Sequence, residues 1–257
     1  MKIVKDLTLA IRFLTVLPIT IIDRKDDTIQ DQEDLAKNFA NSMIYFPFVG
    51  LLIGAFLVLF NHLINYLSLS LLFNNALILL LWVSMSGGLH LDGFTDSVDG
   101  FSGGINKTST LKIMKDSSIG AKGAVALIFL LFFKFIFLLE INLTIKNAAL
   151  LFIPALSRWS MIAAAFFAKS AADENSLGGK FMKYLGKKEL ILSTIIMMVP
   201  GLILFQLHFL VLLSLTIIVI WLLLKYCQKK IGGITGDILG ALNELVELSC
   251  LLAICII

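Results

Sequence analysis

Three aspartates within G-G-L-H-L-D-G-F-T-D-S-V-D-G-F-S-G-G, Gly87 to Gly104, form the densest group of reactive side chains in this sequence. Asp92, Asp96 and Asp99 stand at i, i+4 and i+7, so a helix would project all three carboxylates from one face. Like charges that close repel one another unless a cation sits among them, and oxygen-only donors suit a hard divalent ion such as Mg²⁺ better than zinc. The alternative is a charged loop that is merely solvated. Such a loop would be expected to mix in lysine, and this run has none. His90, two positions before Asp92, would face away from the carboxylates, as a supporting group or one that touches substrate.

Two further stretches could serve the same chemistry. M-K-D-S-S-I-G-A-K-G, Met114 to Gly123, offers Lys115 and Lys122 as phosphate-binding charges and Asp116 as a further carboxylate. Its Gly120 and Gly123 could let backbone N–H groups approach a ligand at the start of a helix; lysines that snorkel at the membrane interface are the competing reading. In I-G-G-I-T-G-D-I-L-G-A, Ile231 to Ala241, Gly232, Gly236 and Gly240 recur every four residues, a spacing that lets helices pack closely. That packing would carry Asp237, with Thr235 beside it, towards the first aspartates, where it could complete a metal site.

Ionisable residues also fall inside apolar segments. Arg158, in I-P-A-L-S-R-W, would lie roughly 16 Å deep, and Glu244 and Glu247 roughly 10 to 15 Å deep, at the rise of an α-helix. Charge is costly in lipid, so each needs a partner or a wet cavity. An Arg158 pair with Glu247 or Glu244, structural or functional, follows from matching depth and opposite sign. Lys134 and Glu140 are expected to snorkel at the outer end of their helix, and His62 and His208 are given no role.

These groups need a scaffold, and composition says which. The 257 residues are 58% hydrophobic and 15% charged with net charge +3, and the mean hydropathy is +0.94. The bilayer is therefore the solvent. Nucleic acid is not an expected partner, since there is no basic tail. Cys227, Cys250 and Cys255 lack metal-ligand spacing and read as packing residues.

The expected fold is an all-α, polytopic membrane bundle of about seven spans, with an interfacial helix over Met1 to Leu17 that Pro18 ends. The spans run roughly Phe46 to Tyr66, Leu71 to Leu89, Ile119 to Leu139, Ala148 to Ala168, Leu190 to Leu207, Phe209 to Lys225 and Asp237 to Ile257. Ile19 to Asn38 reads as a polar loop or surface helix. Residues 1–257 form one domain, 1–45 being a cytoplasmic or interfacial segment and 46–257 the bundle. Lysine and arginine crowd alternate connections, among them Arg24, Lys25, Lys187 and Lys188, with Lys146 as the exception. The positive-inside rule then puts the N-terminus and the motif-bearing loops in the cytoplasm.

The motifs are similar to the signature blocks of the cobalamin-5'-phosphate synthase family, the adenosylcobinamide-GDP ribazoletransferases. The matching blocks are A-I-R-F-L-T-V-L-P, Y-F-P-F-V-G-L-L-I-G-A, G-G-L-H-L-D-G-F-T-D-S-V-D-G, M-K-D-S-S-I-G-A-K-G, P-A-L-S-R-W and G-G-I-T-G-D-I-L-G-A, in order along nearly the whole chain. Ser118 departs from the pattern, standing where many members carry arginine, and the Lys187 to Lys188 loop is unusually rich in lysine.

The resemblance implies a Mg²⁺-dependent enzyme of the cell membrane. It would join adenosylcobinamide-GDP to alpha-ribazole or its 5'-phosphate and release GMP, at the last assembly stage of cobalamin biosynthesis. Asp92 and Asp96, helped by Asp116 or Asp237, would hold metal, and Asp99 would be a candidate base beside Asp96. Lys115, Lys122, Arg158, His90 and Thr235 would face substrate. Competing expectations are a CDP-alcohol phosphotransferase, whose motif would require Ala-Arg soon after the first Asp-Gly, and an ion-coupled transporter using Arg158, Glu244 and Glu247. Partners beyond substrates and lipid, and the oligomeric state, are left open.

Overall fold

A computed structural model describes residues 2–19, 32–67, 69–171 and 177–257. Most of the stretch from Ile19 to Asn38, expected as a polar loop or surface helix and including Arg24 and Lys25, lies outside these, and its described end is helical from Gln32. The elements are α1 (Lys2–Leu14), α2 (Gln32–Ser42), α3 (Phe46–Tyr66), α4 (Leu71–Met85), α5 (Leu89–Gly103), α6 (Lys107–Met114), α7 (Ala121–Glu140), α8 (Leu143–Phe167), α9 (Leu177–Tyr184), α10 (Lys187–Phe205), α11 (His208–Ile231) and α12 (Gly236–Ile256). The bundle is all helical, as expected. Six helical stretches among the described residues are long and apolar enough to cross a membrane, or seven if α4 and α5 count together.

α8 is the central post. Its residues from Phe152 to Ala165 are all buried, and α3, α10, α11 and α12 all pack on it. At Gly50 and Gly54 of α3 an added Cβ would come within 2.3 Å of Pro154 O and 2.2 Å of Leu151 O. Only bare backbone fits there, so the two helices meet main chain to main chain. α1 turns Asp6 and Thr8 inward and leaves Ile3, Val4 and Phe13 exposed, which suits a helix lying at the interface.

The second expected span departs from a plain crossing. α4 has 15 residues, about 22 Å of helix against a hydrocarbon core of about 30 Å. Gly87 and Gly88 then take φ of +60° and +74°, a left-handed step that glycine adopts without steric cost. The chain turns by 85° into α5. The aspartate-rich stretch is thus a helix laid across one end of the bundle. The expected cytoplasmic loop from Gly87 to Lys122 is in fact two helices, α5 and α6.

The lysine-bearing connections gather at that end. Val16 N–H donates to Met85 C=O (2.9 Å), which joins the segment after α1 to the α4–α5 turn, and Ala171 N–H donates to Ile234 C=O (2.8 Å), which joins the ends of α8 and α11. Lys146, the exception to the charge pattern, lies at the other end. It is 2% exposed, donates to Asn75 Oδ1, and has nearby an amide network running from Asn147 through Asn61 and Asn65 to Asn74. It is a buried residue in a polar knot rather than a loop charge.

Candidate active site

The left-handed step aims α5 across the start of α12. An added Cβ on Gly93 would lie 2.7 Å from Asp237 O, and one on Gly240 would lie 3.3 Å from His90 Cα. Close backbone packing at Gly93 and Gly240 does bring Asp237 to the aspartate helix. Of the three spaced glycines, however, only Gly240 packs closely. Gly232 is the left-handed C-cap of α11, and Gly236 opens α12 with nothing within 4 Å of its Cβ position. Thr235 caps α12, accepting from Ile238 N–H (3.4 Å) and donating to Asp237 Oδ2 (3.2 Å).

Asp92 is exposed and Asp96 half-buried. Partial burial, and then the charges of Asp92, Asp237 and Asp99, raise the Asp96 carboxyl from the ordinary 3.8 to about 6. Asp237 feels Asp92, and also Lys115. Two helices far apart in sequence thus supply carboxylates that repel each other across a small space. Among the described residues no three His, Cys, Asp or Glu side chains already converge as a metal site. The donors are nevertheless all oxygen, crowded and short of positive charge, which is the chemistry a hard divalent cation relieves.

Asp99 leaves this group. Its Oδ2 accepts from Gly120 N–H and its Oδ1 from Gly123 N–H, both at 2.8 Å, so it caps α7 at the positive end of the helix dipole. An added Cβ on Gly120 or Gly123 would sit 2.5 Å or 2.3 Å from that carboxylate. The glycines expected to cradle a ligand instead cradle Asp99.

The remaining residues sort by place. Lys115 is exposed, close enough for its charge to act on Asp237. Lys122 is exposed and donates to Ser102 C=O (3.1 Å). Asp116 turns back on its own loop, with Oδ1 accepting from Ser118 Oγ (2.7 Å) and Ser118 N–H (3.0 Å), which holds its carboxyl below the usual range. Ser118 thus orders this loop by a hydrogen bond, where an arginine would bring charge.

Beneath α5 lies a closed cluster of charge. Arg158 donates to Glu247 Oε1 (3.1 Å), the pairing expected from depth, and to Pro154 C=O (2.9 Å). Lys134 does not snorkel. It is 2% exposed and bridges Glu244 and Glu247, the latter at 2.6 Å. Two glutamates against one arginine already implied a second cation, and that imbalance was the signal by which Lys134 could have been found. Asn243 and Ser157 add hydrogen bonds to Glu247. His90 is buried beside the cluster, with Nε2 unpartnered.

Arg158 is 1% exposed and spent on Glu247, so it does not line the surface of the site. The adjoining cavity measures about 10 Å³, room for roughly one water. These charges neutralise one another around it.

α5, α7 and α12 are tied at three levels: by Asp99 on the start of α7, by Phe94, Leu130 and Ala241 packed together, and by Lys134 on Glu244 and Glu247. The triangle fixes the crossing of α5 over α12, and with it the spacing of Asp92 and Asp96 from Asp237.

Comparison with known proteins bears on what this site does. Residues 6–255 match the cobalamin-5-phosphate synthase family. The adenosylcobinamide-GDP ribazoletransferase of Thermoanaerobacter sp. is 35% identical over 258 residues, covering 98% of this chain and 97% of that one. The enzyme of the same name from Caldanaerobacter subterraneus is 37% identical over 254 residues, covering 96% of each. That from Desulforamulus reducens is 36% identical over 241 residues, covering 94% and 92%. No solved structure matches.

Proposed function

The chain belongs to the cobalamin-5-phosphate synthase family, and from that premise we propose that it joins adenosylcobinamide-GDP to alpha-ribazole, or to alpha-ribazole 5'-phosphate, and releases GMP. The activity for which its relatives are named supports the substrates. The facing carboxylates of α5 and α12 support the chemistry, and they are the observation that carries this reading. A ribazole hydroxyl attacks the phosphorus on the cobinamide side of the pyrophosphate. An O–P bond forms there, the bond to the bridging oxygen breaks, and GMP leaves.

Asp92, Asp96 and Asp237 would hold Mg²⁺, which would offset charge on the pyrophosphate oxygens. Lys115 and Lys122, exposed at the rim, bind phosphate oxygens. With both its oxygens engaged, Asp99 positions α7 instead of taking a proton. The hydroxyl proton leaves to solvent at the open side of the site, where Asp92 is exposed. Asp116 and Thr235 act on the geometry, one by ordering the loop after α6 and the other by capping α12 beside Asp237. His90 supports α5 from below, against the buried charges.

The lysine-rich end faces the cytoplasm of a cell membrane, by the positive-inside rule. Replacing Asp96 with Asn is expected to abolish GMP release in a protein that still inserts and purifies. Full activity in that variant would remove the carboxylate-site reading.

A further inference from the structure

The end of α8 and the last turns of α11 border an open groove of about 340 Å³, lined by Phe167, Lys169, Trp221, Leu224, Lys225 and Ile234 among others. Its floor is main chain. Ala171 N–H donates to Ile234 C=O at 2.8 Å and Ile234 N–H to Lys169 C=O at 2.9 Å. Its walls are apolar and open, with Phe167 70% and Trp221 57% exposed.

Two cations stand in this concavity, and among the described residues no carboxylate lines it. Among the described residues no ion pair uses either lysine. The Lys225 ammonium lies 4.9 Å from the centre of the Trp221 ring, which holds it against the apolar wall. Lys225 comes about 9 Å before the end of α11, and Trp221 about 6 Å deeper. The groove therefore runs from headgroup level down into the acyl region.

We propose that this groove binds one anionic glycerophospholipid, with its phosphate between Lys169 and Lys225 and the start of an acyl chain along Phe167, Trp221 and Leu224. A soluble anion would leave the apolar wall unused. A neutral lipid would leave two cations unmatched. A molecule charged at one end and apolar at the other satisfies both. The floor residues lead directly to Thr235, the cap of α12, so a bound lipid also braces the segment that places Asp237. The site stands independently of the reaction assigned above.

The test is native mass spectrometry of the full chain released from nanodiscs of mixed phosphatidylcholine and phosphatidylglycerol. The chain is expected to keep one phosphatidylglycerol in preference to phosphatidylcholine. Lys169→Ala with Lys225→Ala should lower that retention about 30-fold, the loss of two basic contacts of about 1 kcal/mol each. Lys229→Ala with Lys230→Ala, which removes the same amount of charge from the end of α11, should leave it unchanged. Brominated phosphatidylglycerol should quench fluorescence in the native chain more than in Trp221→Phe. Equal loss in both double variants would reassign the effect to diffuse attraction and overturn the site. Displacement by excess inorganic phosphate would give the groove to a soluble anion, and retention of phosphatidylcholine alone would exclude the lipid proposed.

Discussion

Asp96 and Asp99 lie three residues apart on one helix, yet their surroundings give them different work. Asp99 has both oxygens on the backbone of α7, 21 and 24 residues further along the chain, while Asp96 stays half-open among other carboxylates. Asp99→Asn keeps one acceptor of two. It should cost about 1 to 2 kcal/mol, as loss of a helix cap does, and lower GMP release only in part. Thermal unfolding in detergent beside a rate assay checks this, and complete loss of activity with unchanged stability would return Asp99 to the reacting groups. With the Asp96 carboxyl at about 6, a proton competes with a divalent ion below that pH. Mn²⁺ affinity, read by electron paramagnetic resonance, should therefore fall as pH drops through 6, and a flat profile from pH 7 to 5 would contradict the assignment. The spacing of Asp92, Asp96 and Asp99 made the shared face legible in sequence. It could not show that the third carboxylate is drawn to a helix end, because that partner is set by tertiary packing.

At the scale of elements, the triangle of α5, α7 and α12 does the positioning. Lys134→Met leaves buried Glu244 without a cation, while Glu247 keeps Arg158, and should destabilise the protein by about 3 to 5 kcal/mol, whereas adding Glu244→Gln should recover most of that by removing the unpaired charge. Unfolding midpoints of the single and double variants, taken in the same detergent, decide it; equal midpoints would mean the cluster is not the deep tie. Long apolar runs made the spans readable from sequence, and α3, α7, α8, α10, α11 and α12 all fall where hydropathy placed them. The turn at Gly87 and Gly88 was less legible, since glycines in an apolar run permit a left-handed step without requiring it. Lys134 was misread because depth was weighed on its own helix, and not against the surplus negative charge of α12.

Over the whole molecule, the basic connections and the carboxylates meet at one end of the bundle, and an amide knot around Lys146 closes the other. Orientation then has a direct check in intact cells. A membrane-impermeant maleimide should label Tyr66→Cys, 87% exposed at the amide end, and not Ser117→Cys beside the basic loops; the reverse pattern would invert the assignment. Family membership was legible because six motif blocks span the chain in order. Their joining into one site was not, because it depends on α5 lying flat across α12. The most direct measurement of that joining is the Mg²⁺ dependence of GMP release from adenosylcobinamide-GDP and alpha-ribazole, comparing the native chain with Asp237→Asn. A carboxylate given by α12 to a site otherwise built on α5 predicts that half-maximal Mg²⁺ rises about tenfold or more, in line with loss of a metal-site residue. An unchanged Mg²⁺ requirement in Asp237→Asn, or full turnover without divalent metal, would contradict the account.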